Sequence, residues 1–131
     1  MAFLFQNLRV YQQAMEFAER LSSLTAGFSR TNWYLAEQMN RASLSVALNI
    51  AESTGRFTAA DKRRFLVIAR GSVHECIALL DMCDRKKLLC GEPRAELSEQ
   101  LVVIAKMLAG MTNRVSDGDF VREESEPYDV Q

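Results

Sequence analysis

The stretch Gln38–Arg56, QMNRASLSVALNIAESTGR, decides the fold. It has no proline, and no glycine before Gly55, so nothing in its interior breaks a helix. At about 100° per residue, Gln38, Arg41, Ser45, Asn49 and Glu52 fall on one stripe. The remaining faces are mostly apolar, with Leu35, Met39, Val46 and Ile50 on one side and Leu44, Ala47, Leu48 and Ala51 on the other. A helix that is apolar nearly all round is buried on most sides. Its polar stripe is therefore expected to face protein, either a neighbouring helix or another subunit. An ordinary solvated face on a bundle helix is the simpler alternative.

Working outward, this helix is expected to start near Trp33, after a connector rich in capping residues at Ser29–Asn32. It is expected to close at Ser53 or Thr54, with Gly55 supplying a left-handed terminus. Upstream, Val10, Ala14, Phe17, Leu21, Leu24 and Phe28 alternate spacings of four and three, the period of a bundle seam, which predicts helix one from Gln6 to Phe28. A second row, Leu4, Leu8, Tyr11, Met15 and Ala18, widens that face to two partners. Downstream, Thr58 and Asp61 have N-cap spacing, and helix three is expected to run to about Leu89. Phe65, Ala69, Ser72, Cys76, Leu79 and Cys83 form its seam, with Leu66, Val73, Ile77 and Leu80 as a second row. Gly91 reads as its stop signal and Pro93 as the first turn of helix four, Arg94–Val115. There Leu97, Leu101, Ile104, Leu108, Met111 and Val115 repeat the same steps. Four long helices on short loops must run antiparallel to their neighbours. The expected fold is all-α, an up-down-up-down antiparallel four-helix bundle over residues 1–116.

The chain has 131 residues and a net charge of −1, an ordinary balance for one domain. That near-neutral total is unevenly spread. Residues 117–131 carry Asp117, Asp119, Glu123, Glu124, Glu126 and Asp129 against Arg122, a net −5, which leaves +4 on the rest. The segment reads as a disordered acidic tail that could occupy a basic face of the bundle. No apolar run approaches the ~18 residues of a membrane span. The N-terminus lacks a charged region ahead of a long apolar core, so no signal peptide is expected. Cys76, Cys83 and Cys90 are seven residues apart, about 10 Å per step on a helix, which is too far for a disulfide within it. They are expected to be reduced, small and buried in a cytoplasmic protein.

The residues argue against most catalytic chemistries. A di-iron bundle needs two E-x-x-H pairs, and this chain has one histidine, His74, on the polar side of helix three. No serine triad can be assembled, and neither phosphate-binding glycine motif is present. No metal and no cofactor are expected. Arg41, Glu52 and Glu75 could be read as acid–base groups, but inside a bundle such a set more often forms an ion-pair network. The expected arrangement places Ser45 and Asn49 against Ser72 and Glu75, with the carboxylates accepting from Arg41 or Arg56. Arg56, Lys62, Arg63 and Arg64 form a basic group around the second loop that could bind phosphates without sequence preference. Only Phe57 is close enough in sequence to stack on a base, so sequence-specific single-strand readout is not indicated.

The pattern Q-x-x-R-A-x-x-S-x-x-x-N-I-A-E from Gln38 to Glu52, then G-R, then F-L-x-I-A-x-G-S-x-x-E from Phe65 to Glu75, resembles a known family. This is the four-helix-bundle family of proteins encoded in intervening sequences of large-subunit ribosomal RNA genes. It is related to the accessory variability determinants of diversity-generating retroelements. The resemblance spans roughly residues 5 to 115. One departure is Ser53, where the family usually has glycine directly after N-I-A-E. The resemblance implies a homo-oligomer, a ring of five subunits, without enzymatic activity. It also implies nucleic-acid binding and a reverse transcriptase partner, as in the retroelement relatives. Carried over, the Gln38–Glu52 stripe with Ser72 and Glu75 is structural or intersubunit, and Arg56, Lys62, Arg63 and Arg64 face nucleic acid. A protein-binding oligomeric scaffold without nucleic acid is the alternative.

Overall fold

The computed structural model describes residues 3–116, so the acidic-tail reading of 117–131 lies outside the described residues. Four long helices carry the chain: α1 (Arg9–Thr25), α2 (Trp33–Thr54), α3 (Ala59–Arg85) and α4 (Gly91–Ser116). Two short 3-10 turns, Leu4–Asn7 and Arg30–Asn32, precede α1 and α2. Each helix packs on the next, and α4 closes back on α1.

Side-chain contacts fix the directions, because residue numbers fall on one helix as they rise on its neighbour. Ser45 of α2 meets Ser72 of α3, while Met39 meets Cys83. Gln100 of α4 meets Gln13 of α1, and Arg20 pairs with Glu96. Arg63 near the start of α3 reaches Ser116 at the end of α4. The bundle is therefore antiparallel and up-down-up-down, as the short loops require.

The core follows the three-four period. Val10, Ala14, Phe17 and Leu21 from α1 meet Leu35, Met39, Val46 and Ile50 from α2. Leu66, Val73, Cys76 and Leu80 from α3 and Leu97, Leu101, Ile104, Leu108 and Met111 from α4 complete it. Thr25 ends the α1 stripe as a buried hydroxyl. It donates to the Leu21 carbonyl and accepts from Asn40 of α2, so its polar oxygen is satisfied.

Several expectations fail at the element ends. Helix one begins at Arg9, because Leu8 is extended (φ −73°, ψ 130°) and separates it from the 3-10 turn. It stops at Thr25 rather than Phe28. Gly55 closes α2 with φ −90°, not in the left-handed region. Ser53, two residues earlier, is buried and donates to the Ile50 carbonyl at 2.7 Å, so a hydroxyl fits where the family usually has glycine. Leu44 and Leu48 on α2 and Ile77 on α3 are exposed, whereas their apolar rows had predicted burial. With two neighbours each, these helices leave their outermost strip uncovered.

Helix three ends at Arg85, not Leu89, and Gly91 starts α4 instead of stopping α3. Lys87 is the actual terminator, with φ +62°. The Leu88 N–H donates to the Cys83 carbonyl at 2.8 Å and the Lys87 N–H to the Asp84 carbonyl at 2.9 Å, the paired bonds of a Schellman cap. Leu88 then packs against the core, the usual companion of that cap. Gly91 has φ +66° and open space around its α-carbon, so backbone conformation, not crowding, calls for glycine there. A left-handed non-glycine residue costs about 1–2 kcal/mol, while glycine adds about 0.4–1 kcal/mol of entropy to the unfolded chain. Lys87→Gly is therefore expected to stabilise the fold by about 0.5–1 kcal/mol, seen as a higher urea midpoint at unchanged m-value.

Candidate functional site

The polar stripe of α2 lies along its seam with α3. Arg41 pairs with Glu75 across the seam and also donates to Gln38 at 3.0 Å. One turn further on, the Ser45 and Ser72 hydroxyls meet at 2.9 Å. Asn49 donates back to the Ser45 carbonyl and hydroxyl. Glu52 accepts from Arg56 at 2.5 Å, at the end of the helix. The seven stripe residues thus form two groups joined along one seam, Gln38–Arg41–Glu75 and Asn49–Ser45–Ser72, with Glu52 turned to the basic loop. Arg41 is exposed and the Glu75 side chain partly so, and such a solvent-facing pair contributes at most about 1 kcal/mol. The half-buried serine bond contributes about 0.5–1.5 kcal/mol. These magnitudes are too small to hold the bundle together.

The seam reaches into the core at one point. Burial pushes the Cys76 thiol up to about 12, with the neighbouring Glu75 charge adding to the rise and Arg41 opposing it. Burial likewise raises the Cys83 thiol. Neither is a thiolate at neutral pH, so neither is a ready nucleophile. Cys90 departs from the expectation of buried cysteines. It lies in the α3–α4 linker and is exposed, because α3 ends before the second seven-residue step reaches it.

The second set of residues gathers where α1 and α3 begin and α2 and α4 end. Arg56 and Arg64 both place their guanidinium carbons 4.5 Å from the centroid of the Phe65 ring. Arg64 also approaches Asp61 at 3.9 Å, and Arg63 donates to Ser116 at 3.0 Å. Thr58 caps α3 by accepting from the Asp61 N–H. Lys62 is the exception among the four cations, since only 5% of it is exposed. Stepping back four residues from Leu66 places Lys62 on the core stripe of α3, so its ammonium group is not on an open surface. The same step, applied to the sequence, would have separated it from Arg63 and Arg64.

The turn ahead of α1 folds onto this end of the molecule. Phe3, Leu4 and Phe5 face Thr54, Gly55 and Arg56 across an open cavity of about 590 Å³. Phe3 and Phe5 stack at 6.0 Å, and Phe5 meets Tyr11 edge-on at 5.0 Å. Nothing in the sequence placed residues 3–5 beside residue 56, because that approach depends on the 3-10 turn packing back against α2.

Charge is unequal between the two ends. The loop and the last two helical turns at this end hold Arg9, Arg56, Lys62, Arg63, Arg64 and Arg114 against Glu52 and Asp61. At the far end, Arg20, Arg30, Arg85, Lys86, Lys87 and Arg94 are matched by Glu19, Glu37, Asp81, Asp84, Glu92 and Glu96. Arg94 there pairs with Asp81 at 2.5 Å. The positive balance of the body is therefore concentrated at one end of the bundle.

Among the described residues, no cluster of three or more His, Cys, Asp or Glu side chains could hold a metal. His74 is on the surface and donates to the Arg70 carbonyl at 3.0 Å. No helix among the described residues is long and apolar enough to cross a membrane.

A family model described as "23S rRNA-intervening sequence protein" matches residues 6–110. A comparison with curated proteins returns no match. Among solved structures, the chain is similar to a protein with unknown function from the S23 ribosomal protein family of Bacteroides thetaiotaomicron, determined at 1.70 Å resolution. The TM-score is 0.72 at 22% identity, over 79% of this chain and 97% of that one. At that identity the similarity concerns the fold.

Proposed function

The chain belongs to the 23S rRNA-intervening sequence protein family, and we propose that it is a non-catalytic, oligomeric accessory protein that binds RNA or DNA through the basic end of its bundle. The observation that carries this reading is the charge inequality between the two ends. Arg56, Arg63 and Arg64 provide the phosphate contacts, and their surface pairs with Glu52 and Asp61 are weak enough for phosphate to compete. Lys62, buried at the edge of the core, is left out of that contact set.

Self-association is part of the proposal, with five subunits as the state implied by the family resemblance. It is supported by apolar side chains that a lone bundle leaves in water. Leu48 is 53% exposed, one turn from exposed Leu44, and Ile68 and Met82 stand out from α3. The Arg41–Glu75 seam runs along the same two helices, so the stripe can serve as a register between copies as well as within one. The working partners are a second copy of the chain, a nucleic acid and a reverse transcriptase, in a cytoplasmic setting. The same exposed apolar side chains favour a second reading, an oligomeric scaffold that binds protein and no nucleic acid.

Native mass by light scattering, with and without a mixed RNA and DNA pool, separates the two. The accessory reading expects a multi-subunit mass that grows with nucleic acid and shrinks back as salt rises. The same assembly with no nucleic acid bound would select the scaffold, and a monomer would remove the oligomer from both.

A further inference from the structure

The basic end also carries aromatic surface that phosphate binding does not use. Phe57, in the loop between α2 and α3, is 94% exposed, and Phe3 is 71% exposed. Burying a phenylalanine side chain is worth about 1.5–3 kcal/mol, so each ring in water represents burial forgone. One such ring on a surface is ordinary. Two at the same end of a bundle, with arginines between and beside them, are a more specific arrangement. Phe57 directly follows Arg56, and Arg56 lines the cavity whose opposite wall includes Phe3. Arg63 and Arg64 begin the helix that follows the same loop.

Resting on the proposed nucleic-acid reading, we propose that this end binds single-stranded nucleic acid, with Phe57 and Phe3 as stacking platforms for unpaired bases. A base inside a duplex hides its faces against its neighbours and offers nothing to a protruding ring. An unpaired base presents a whole π-face, and aromatic platforms set among cations are how proteins hold single strands without reading sequence. Arg56, Arg63 and Arg64 hold the phosphates while the rings take the bases. Arg56 and Arg64 each lie over the Phe65 ring, 4.5 Å from its centroid, so their positions relative to Phe57 are restricted before any ligand arrives. The cavity between Phe3 and Arg56 is open to solvent and, at about 590 Å³, has room for a base. Protein from a second copy is the other possible occupant of these rings. The surrounding positive charge favours the polyanion, since a like-charged copy of the same end would be repelled.

The test uses the full chain and fluorescein-labelled oligo(A) RNA of about 16 nucleotides, alongside a duplex of the same length. Anisotropy should show tighter binding to the single strand. Phe57→Ala should weaken single-strand binding by roughly five- to a hundredfold while leaving the salt slope and the duplex affinity unchanged. Phe57→Trp should retain binding, and its indole emission should be quenched as the oligonucleotide adds. If Phe57→Ala and the double variant with Phe3→Ala both bind the single strand within about twofold of the parent, the stacking proposal is overturned. The broader nucleic-acid reading then survives only if replacing Arg56, Arg63 and Arg64 together with alanine still lowers affinity. If the parent binds neither probe, both fall. If Phe57→Ala lowers the native mass and leaves affinity per chain intact, the ring belongs to a contact between copies and the proposal is wrong.

Discussion

Replacing Arg56, Arg63 and Arg64 together with alanine is expected to cut nucleic-acid affinity by roughly fiftyfold at about 0.15 M salt. The estimate follows from counterion release. Each phosphate contact on a single strand contributes about −0.7 to the slope of log K against log salt, so three lost contacts remove about 2 from the slope. The same arithmetic leaves only about a fourfold difference near 0.5 M. A gap that closes as salt rises is the signature to look for. A loss independent of salt would mean that the variant damaged the fold, and no loss at all would mean that phosphate docks elsewhere. Fold damage is not expected from the contacts involved. Arg56 and Arg64 make exposed ion pairs and ring contacts, and Arg63 makes one exposed bond to Ser116. Each is worth about 1 kcal/mol or less.

The second large effect concerns the core shared by the four helices. Phe17 heads the fully buried side chains by volume, at 1% exposure on α1. Phe17→Ala removes its transfer energy and leaves a cavity that rigid helices cannot fill, a loss of about 3–5 kcal/mol. Against a typical total of about 5–15 kcal/mol, that is enough to lower the urea midpoint severely. Arg20→Ala, one turn further along α1, is the contrasting control. Its bridge to Glu96 is exposed on both sides, so the expected change is at most about 1 kcal/mol. Equal losses for the two variants would show that the α1–α4 contact depends on charge and not on packing.

The stripe along α2 was legible because helical spacing is a local property. Gln38, Arg41, Ser45, Asn49 and Glu52 align whatever surrounds the helix, and short loops make α3 its antiparallel neighbour. Ser72 and Glu75 then follow from register. Lys62 was misplaced for the opposite reason. A run of three cations reads as one basic patch in the sequence, yet successive helical positions point about 100° apart, and one of the three turns inward. Lys87 was missed because left-handed caps are sought at glycine or asparagine, and Gly91 nearby drew the assignment.

Four amphipathic segments, their order, their antiparallel run and their inward apolar rows were all present in the periodicity and the loop lengths. Those features depend on residues within a turn or two of one another. Which side chains share a surface was decided by packing. Phe3 came to lie across a cavity from Arg56, Ser116 came to meet Arg63, and the cations of four separate segments collected at one end. Such neighbours are tens of residues apart in the chain. Only the buried contacts between helices, which set their relative height and rotation, bring them within reach.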